Sequence, residues 1–229
     1  MSDHLKPRRL CLVGATGLVG RGLIEAAVGR GDIRVIGVAR REMALPHGAR
    51  MEMLLADPAG WPDAIAAANA SVMVCALGTT WRKAGRDEAA FRAVDRDLVL
   101  SCAHAAKAAG IGHMIVVSTA GANRASRHPY LRVKAEMEDA LMRVGLKRID
   151  ILRPGLLRGR RRERRPAERL AMHLGPLIDP FLMGGLRQYR SIRVDTLIQS
   201  IFALAREKAG GRFVHDHDAM HYVIRRTGG

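Results

Sequence analysis

Three side chains of this sequence could pass a proton to or from an alcohol: Ser118, Tyr130 and Lys134. Tyr130 and Lys134 stand at i and i+4, positions that one face of a helix brings together. A phenol is a poor base, because its ordinary pKa is about 10. An ammonium beside it favours the phenolate and lowers that value. A serine hydroxyl at an adjacent strand end can hold a substrate carbonyl by a hydrogen bond. Together the three can move a proton beside a nicotinamide that moves a hydride. A tyrosine four residues before a lysine is common in helices, so its weight comes from the elements around it.

The first such element is a glycine turn. An apolar strand, Leu10–Val13, runs into Gly14-Ala15-Thr16-Gly17-Leu18-Val19-Gly20. Glycines at this spacing between a strand and a helix let the backbone press on a diphosphate at the helix N-terminus. Gly14 permits the tight turn, Gly17 the approach of phosphates, and Gly20 the close packing of helix on strand. Thr16, Leu18 and Val19 complete the cradle. The spacing is GxxGxxG, a variant of the dinucleotide fingerprint.

The strand ends that follow are tested in turn. An NAD site places a carboxylate about 20 residues past the turn, for the ribose hydroxyls. Here the second strand ends Val38-Ala39-Arg40-Arg41. Two guanidiniums suit a 2′-phosphate through paired, charge-assisted hydrogen bonds, so Arg40 and Arg41 point to NADP(H) over NAD(H). The alternative is a solvated surface pair. Asp57, after the third strand, reads as an acceptor for the adenine amino group, or as a turn former before Pro58. The fourth strand ends Cys75-Ala76-Leu77-Gly78-Thr79-Thr80-Trp81. Its small residues let a ligand approach the backbone at Leu77, Gly78 and Thr79. Trp81 is either a lip over the pocket or a packed loop aromatic.

These residues need a scaffold of alternating strands and helices. Strands are expected at Leu10–Val13, Arg34–Val38, Met51–Leu55, Val72–Ala76, Met114–Ser118 and Ile149–Leu152. Helices are expected at Leu18–Val28, Trp61–Ala68, Glu88–Ala109 and Leu131–Val144. The strands are continuous apolar runs, the mark of a parallel sheet covered on both faces. The alternation reads as a doubly wound α/β fold. The long helix is amphipathic, with Phe91, Val94, Leu98 and Cys102 at helical spacing. After Pro154 the alternation breaks, leaving a helix near Val194–Arg206 and a short strand near Arg212–Val214. We expect one domain over residues 1–229, with residues 155–229 forming a small substrate-side lobe.

Composition narrows the class. Cys11, Cys75 and Cys102 are far apart and sit in apolar stretches, so neither a disulfide framework nor a metal spacing is present. With no apolar signal-peptide core and no transmembrane run of about 20 residues, the expected location is cytoplasmic. The formal net charge is +16, part of it in Arg158-Gly159-Arg160-Arg161-Arg162-Glu163-Arg164-Arg165. That run reads as an electropositive rim for an acidic ligand or partner, as a docking patch, or as a solvated loop entering a helix at Pro166. Aromatic residues are 4% and none lies in the run, which argues against a nucleic-acid role. His215, His217 and His221 resemble a metal cluster, but no metal is expected. An oligomer is open. Met51, Met53, Met114 and Met183 read as core filler.

The chain resembles the short-chain dehydrogenase/reductase superfamily. Within it, the chain is most similar to atypical, NAD(P)H-binding, NmrA-like members of the Tat-interacting-protein oxidoreductase type. The resemblance spans roughly residues 9 to 206. The glycine turn, Leu77-Gly78-Thr79-Thr80, Val94-Asp95-Arg96-Asp97, Ser118-Thr119-Ala120-Gly121-Ala122, Tyr130-Leu131-Arg132-Val133-Lys134 and Leu152-Arg153-Pro154-Gly155 carry it. It implies a Rossmann-type fold, with Tyr130 as acid/base and Lys134 holding the nicotinamide ribose and tuning Tyr130. It implies that Ser118 orients the carbonyl of a small-molecule substrate. Pro154 and Gly155 would border the nicotinamide. Many superfamily members carry an asparagine relay in the long helix, where this chain has Asp95. The expectation is an NADP(H)-dependent oxidoreductase; the alternative is an NADP(H)-sensing regulator with little turnover.

Overall fold

The computed structural model describes residues 7–49, 51–159 and 179–227. Seven parallel strands form one sheet: β1 (Arg8–Val13), β2 (Ile33–Ala39), β3 (Glu52–Leu55), β4 (Val72–Cys75), β5 (His113–Val117), β6 (Arg148–Leu152) and, last in the sheet, a C-terminal strand at Gly211–His215. A parallel pair, β7 (Leu157–Arg158) and β8 (Ile192–Arg193), lies apart from it. The C-terminal strand is therefore β9, and the sheet order is β3-β2-β1-β4-β5-β6-β9. Strand order reverses between β1 and β4, which makes a crevice at their carboxyl ends.

Each strand feeds both faces. Leu10 and Leu12 of β1 point to one side, Cys11 and Val13 to the other. The first side is covered by α1 (Leu18–Ala27), which supplies Val19, Leu23 and Ile24. The second is covered by α2 (Trp61–Ala67), which supplies Trp61 and Ile65. Burial on two faces explains why these strands are apolar throughout. The three thiols are buried free cysteines. Burial pushes Cys11 up to about 12, and Cys75 up to about 11.

The expected long helix is three pieces. A helical turn α3 (Glu88–Arg92) leads through a π-helical turn, Ala93–Asp97, into α4 (Leu98–Ala108). The Leu98 N–H bonds back to the Ala93 carbonyl, five residues earlier. Within that wider turn the inward position is taken by Asp95. Phe91, Asp95, Val99 and Cys102 are buried, where even helical spacing put Val94 and Leu98. Helix α5 (Pro129–Met142) follows β5. The C-terminal residues rejoin the sheet: α6 (Val194–Ala205) packs on the α1 side, β9 adds the last strand, and α7 (His217–Thr227) closes that face. Met114 is core on the α2 side, and Met51 and Met53 are partly buried against the cluster on the α1 side. Met183 is 72% exposed, in the turn before a 3₁₀ segment, so it fills no core.

Candidate functional site

The crevice at the switch point is a cleft of about 1250 Å³, large enough for a dinucleotide and a small substrate. One wall is the glycine turn. Gly14 has φ +91°, and a Cβ there would sit 2.6 Å from the Ala76 backbone. A Cβ at Gly20 would lie 2.3 Å from the Gly14 carbonyl oxygen, so these two glycines are required by packing. Gly17 differs. It caps α1 without a side-chain hydrogen bond, and a Cβ there meets nothing closer than 3.4 Å. The first-turn N–H groups therefore stand uncapped beside an open cradle, as a diphosphate requires. Thr16, Gly17, Leu18 and Val19 line the cleft, with Leu77, Gly78, Thr79 and Thr80 of the turn after β4. The residues fit the phosphates of a dinucleotide.

The same cleft is lined by Ser118, Tyr130 and Lys134. Ser118 follows the end of β5 and is buried. Its N–H donates to the Leu152 carbonyl at 2.7 Å, which fixes it to β6. His128 caps α5 by accepting the Tyr130 N–H at 3.2 Å. The Tyr130 ring packs 5.3 Å from the buried Phe91 ring. Trp81 stacks edge-on against Phe91 and His128, so it is a packed aromatic rather than a free lip.

Lys134 is buried and pairs with Asp95 Oδ1 at 2.8 Å. Asp95 Oδ2 accepts the Thr79 N–H at 2.7 Å. Burial works against the ammonium, but the Asp95 carboxylate, then Tyr130, outweigh it and hold Lys134 above the ordinary lysine range. One turn beyond Lys134, the buried Glu138 accepts the Ser118 hydroxyl. Arg153 donates to both Glu138 oxygens, its Nε at 3.1 Å from each. Sequence reading passed over Glu138 and gave Arg153 no role. The signal was present, since Glu138 extends the i, i+4 row begun by Tyr130 and Lys134.

Other residues lie elsewhere. Arg40 and Arg41 are exposed at the end of β2, off the cleft lining, with no hydrogen bond or ion pair among the described residues. Asp57 is exposed before a 3₁₀ turn, and its carbonyl accepts the Gly60 N–H at 2.8 Å. Pro154 gives its carbonyl to the Ala120 N–H at 2.8 Å, and Gly155 is pressed by the backbone of Tyr189 and Arg190. Arg158 lines the cleft beside Arg193, its register partner on β8. Residues 160–165 of the Arg-rich run lie outside the described residues. The histidines divide. His215 ends β9 and meets the buried Asp150 at 2.7 Å, while His217 starts α7 and faces Asp218. Among the described residues no group of three or more His, Cys, Asp or Glu could hold a metal. No helix among them is long and apolar enough to cross a membrane.

The glycine cradle, the sheet order and the tyrosine–lysine face define a dinucleotide-binding protein of the short-chain dehydrogenase/reductase class. The chain belongs to the NAD(P)H-binding family, whose model matches residues 14–171, and within it to the atypical, NmrA-like members. It is 34% identical over 185 residues to protein HTATIP2 of Rattus norvegicus, covering 79% of this chain and 76% of that one. It is 32% identical over 169 residues to the mitochondrial protein fmp52 of Emericella nidulans, covering 71% and 72%. In fold it is similar to MoeE5, solved with UDP-glucose and NAD, at TM-score 0.69 and 16% identity, over 96% of this chain and 82% of that one. The UDP-glucose 4-epimerase of Thermotoga maritima matches at TM-score 0.67 and 14% identity, with the same coverage. The cytoplasmic expectation is overturned. Fmp52 relatives from several fungi are named mitochondrial. Buried free thiols fit any reducing compartment, so they never discriminated between them.

Proposed function

We propose that this protein is an NADP(H)-dependent oxidoreductase acting on a carbonyl/alcohol pair. The observation that carries the reading is the placement of Ser118, Tyr130 and Lys134 in one cleft with the glycine cradle. Gly14, Thr16, Gly17, Leu18, Val19 and Gly20 hold the diphosphate, and Leu77, Gly78 and Thr79 border it from β4. Arg40 and Arg41, exposed at the end of β2, meet the 2′-phosphate, and Asp57 the adenine. Pro154 and Gly155 support the nicotinamide side, and within residues 155–229 the segments 157–159 and 193–195, which line the cleft, complete the substrate side. The reduced nicotinamide, when bound, supplies a hydride to the carbonyl carbon. Tyr130 Oη gives its proton to the carbonyl oxygen and regains one from water. Lys134 holds the ribose and the phenol oxygen in place, and Ser118 positions the substrate oxygen.

The Asp95–Lys134 pair favours a second reading, an NADP(H)-responsive binding protein with little turnover, because it occupies the lysine charge. An epimerase with retained NAD is disfavoured by Arg40 and Arg41. Calorimetry with NADPH and NADH, followed by a panel of carbonyl substrates, separates these. The oxidoreductase reading expects tight NADPH binding, turnover by the native chain, and none by Tyr130→Phe with binding retained. Preferential NADH binding removes the role of Arg40 and Arg41. Tight NADPH binding without oxidation across the panel favours the binding protein.

A further inference from the structure

Asp95 sits on the only π-helical turn among the described residues, and such turns recur at functional sites because they cost regular hydrogen bonding. The turn delivers a carboxylate, fully buried, to a lysine that is itself 4% exposed. The two oxygens are used differently. Oδ2 takes the Thr79 N–H, which anchors Asp95 to the turn after β4. Oδ1 has no neutral donor, and its partner is the Lys134 ammonium at 2.8 Å. Gly78 makes the room. A Cβ there would press Asp95 Oδ1 at 3.3 Å and approach Lys134 Nζ at 4.0 Å. The ammonium has the carboxylate at 2.8 Å, and Tyr130, one helical turn back on α5, shares its cleft and bears on its charge.

We propose that Asp95 is a positioning residue that divides the Lys134 ammonium between itself and Tyr130, and so sets the site to deliver a proton to a carbonyl rather than take one from an alcohol. This rests on the oxidoreductase reading of the same cleft. An ammonium committed wholly to the phenol stabilises the phenolate, the proton-accepting form. An ammonium shared with a carboxylate stabilises it less, and the phenol keeps the proton it must donate. Among the described residues, the other titratable groups near the pair are Cys75 of β4, His128 at the start of α5, Glu138 farther along it, and Lys83, which lines the same cleft. Cys75 is neutral because burial pushes its thiol up to about 11. Glu138 is ion-paired with Arg153. The His128 ring lies 6.3 Å from the Tyr130 ring, centroid to centroid.

The test needs neither cofactor nor substrate. The chain has three tyrosines, Tyr130, Tyr189 and Tyr222. The phenolate absorbance of Tyr130 is therefore isolated by subtracting the titration of Tyr130→Phe. Asp95→Asn should move the Tyr130 midpoint to lower pH by about one unit or more. In a Lys134→Met background the same change should move it far less, because the effect passes through the lysine. Asp95→Ser provides the second variant if the amide does not fold. An unmoved or raised midpoint in the folded variant overturns the proposal, and so does a shift that persists without Lys134. A clear shift in a protein that turns over no carbonyl sinks the oxidoreductase reading and leaves the coupling standing.

Discussion

Glu138 ties the end of β5 to the residue after β6. It accepts the Ser118 hydroxyl and both hydrogen-bonding edges of the Arg153 fork. Removing a carboxylate that faces a half-buried guanidinium leaves a partly uncompensated charge, which with solvent screening costs about 1–3 kcal/mol. Glu138→Ala should therefore lose about that much in urea unfolding. Glu138→Gln, which still accepts from Arg153, should lose clearly less. Equal losses would show that Arg153 finds another partner. At this scale the sequence singled out Ser118, Tyr130 and Lys134 by spacing and by strand ends, and the structure brings the three to one cleft. The sequence concealed their partners. Asp95–Lys134 and Ser118–Glu138 join residues from different elements, and side-chain direction across the packed interface is not a property of spacing.

Strand positions were readable from apolar runs, and β1, β2 and β6 fall close to where those runs lie. The long helix was read as one regular piece, and its inward face holds Asp95 and Val99 between Phe91 and Cys102, with Leu98 only partly buried against the core. Even periodicity expects Val94 and Leu98 inside, and a π turn is invisible to a pattern that assumes 3.6 residues per turn. The glycine turn makes the opposite point, since its three glycines do different physical work. Gly20→Ala drives a Cβ to 2.3 Å from a backbone oxygen. It should lower the melting temperature and abolish NADPH binding together, at a cost of about 1–3 kcal/mol. Gly17→Ala has room in the fold and intrudes only on the cradle. It should keep its melting temperature within a few degrees and still weaken NADPH in calorimetry by about tenfold or more. A Gly17→Ala protein that binds NADPH normally would place the diphosphate elsewhere.

Across the whole molecule, the C-terminal strand is fastened by a buried polar knot. Asp150 of β6 meets His113 of β5 and His215 of β9, each at 2.7 Å, and Arg148 donates to it at 2.6 and 2.9 Å. Burial alone would raise the Asp150 carboxyl. The hydrogen bonds from His113, His215 and Arg148 outweigh burial and hold it far below the ordinary carboxylate range. A carboxyl depressed in the folded state stabilises fully above its unfolded value, about 3.9, and loses that stabilisation as pH falls through the folded value. Asp150→Asn should therefore be much less stable than the native chain at neutral pH, with the gap closing in acid below about pH 4. Denaturant titrations across that range check it, and a gap independent of pH would assign the loss to packing. None of these four polar residues stood out in the sequence as a set. Their meeting depends on β9 joining the sheet beside β6, and the residues after Pro154 carry no alternation that foretells it.

The hole left by Gly78 has an evolutionary corollary. A carboxylate at 95 and a side chain at 78 compete for one small volume, with 3.3 Å to share. A side chain at 78 requires the group at 95 to give by a few tenths of an ångström, so bulk at the first position should go with a smaller or shifted side chain at the second. The two sites should drift as a couple, although seventeen positions of chain separate them.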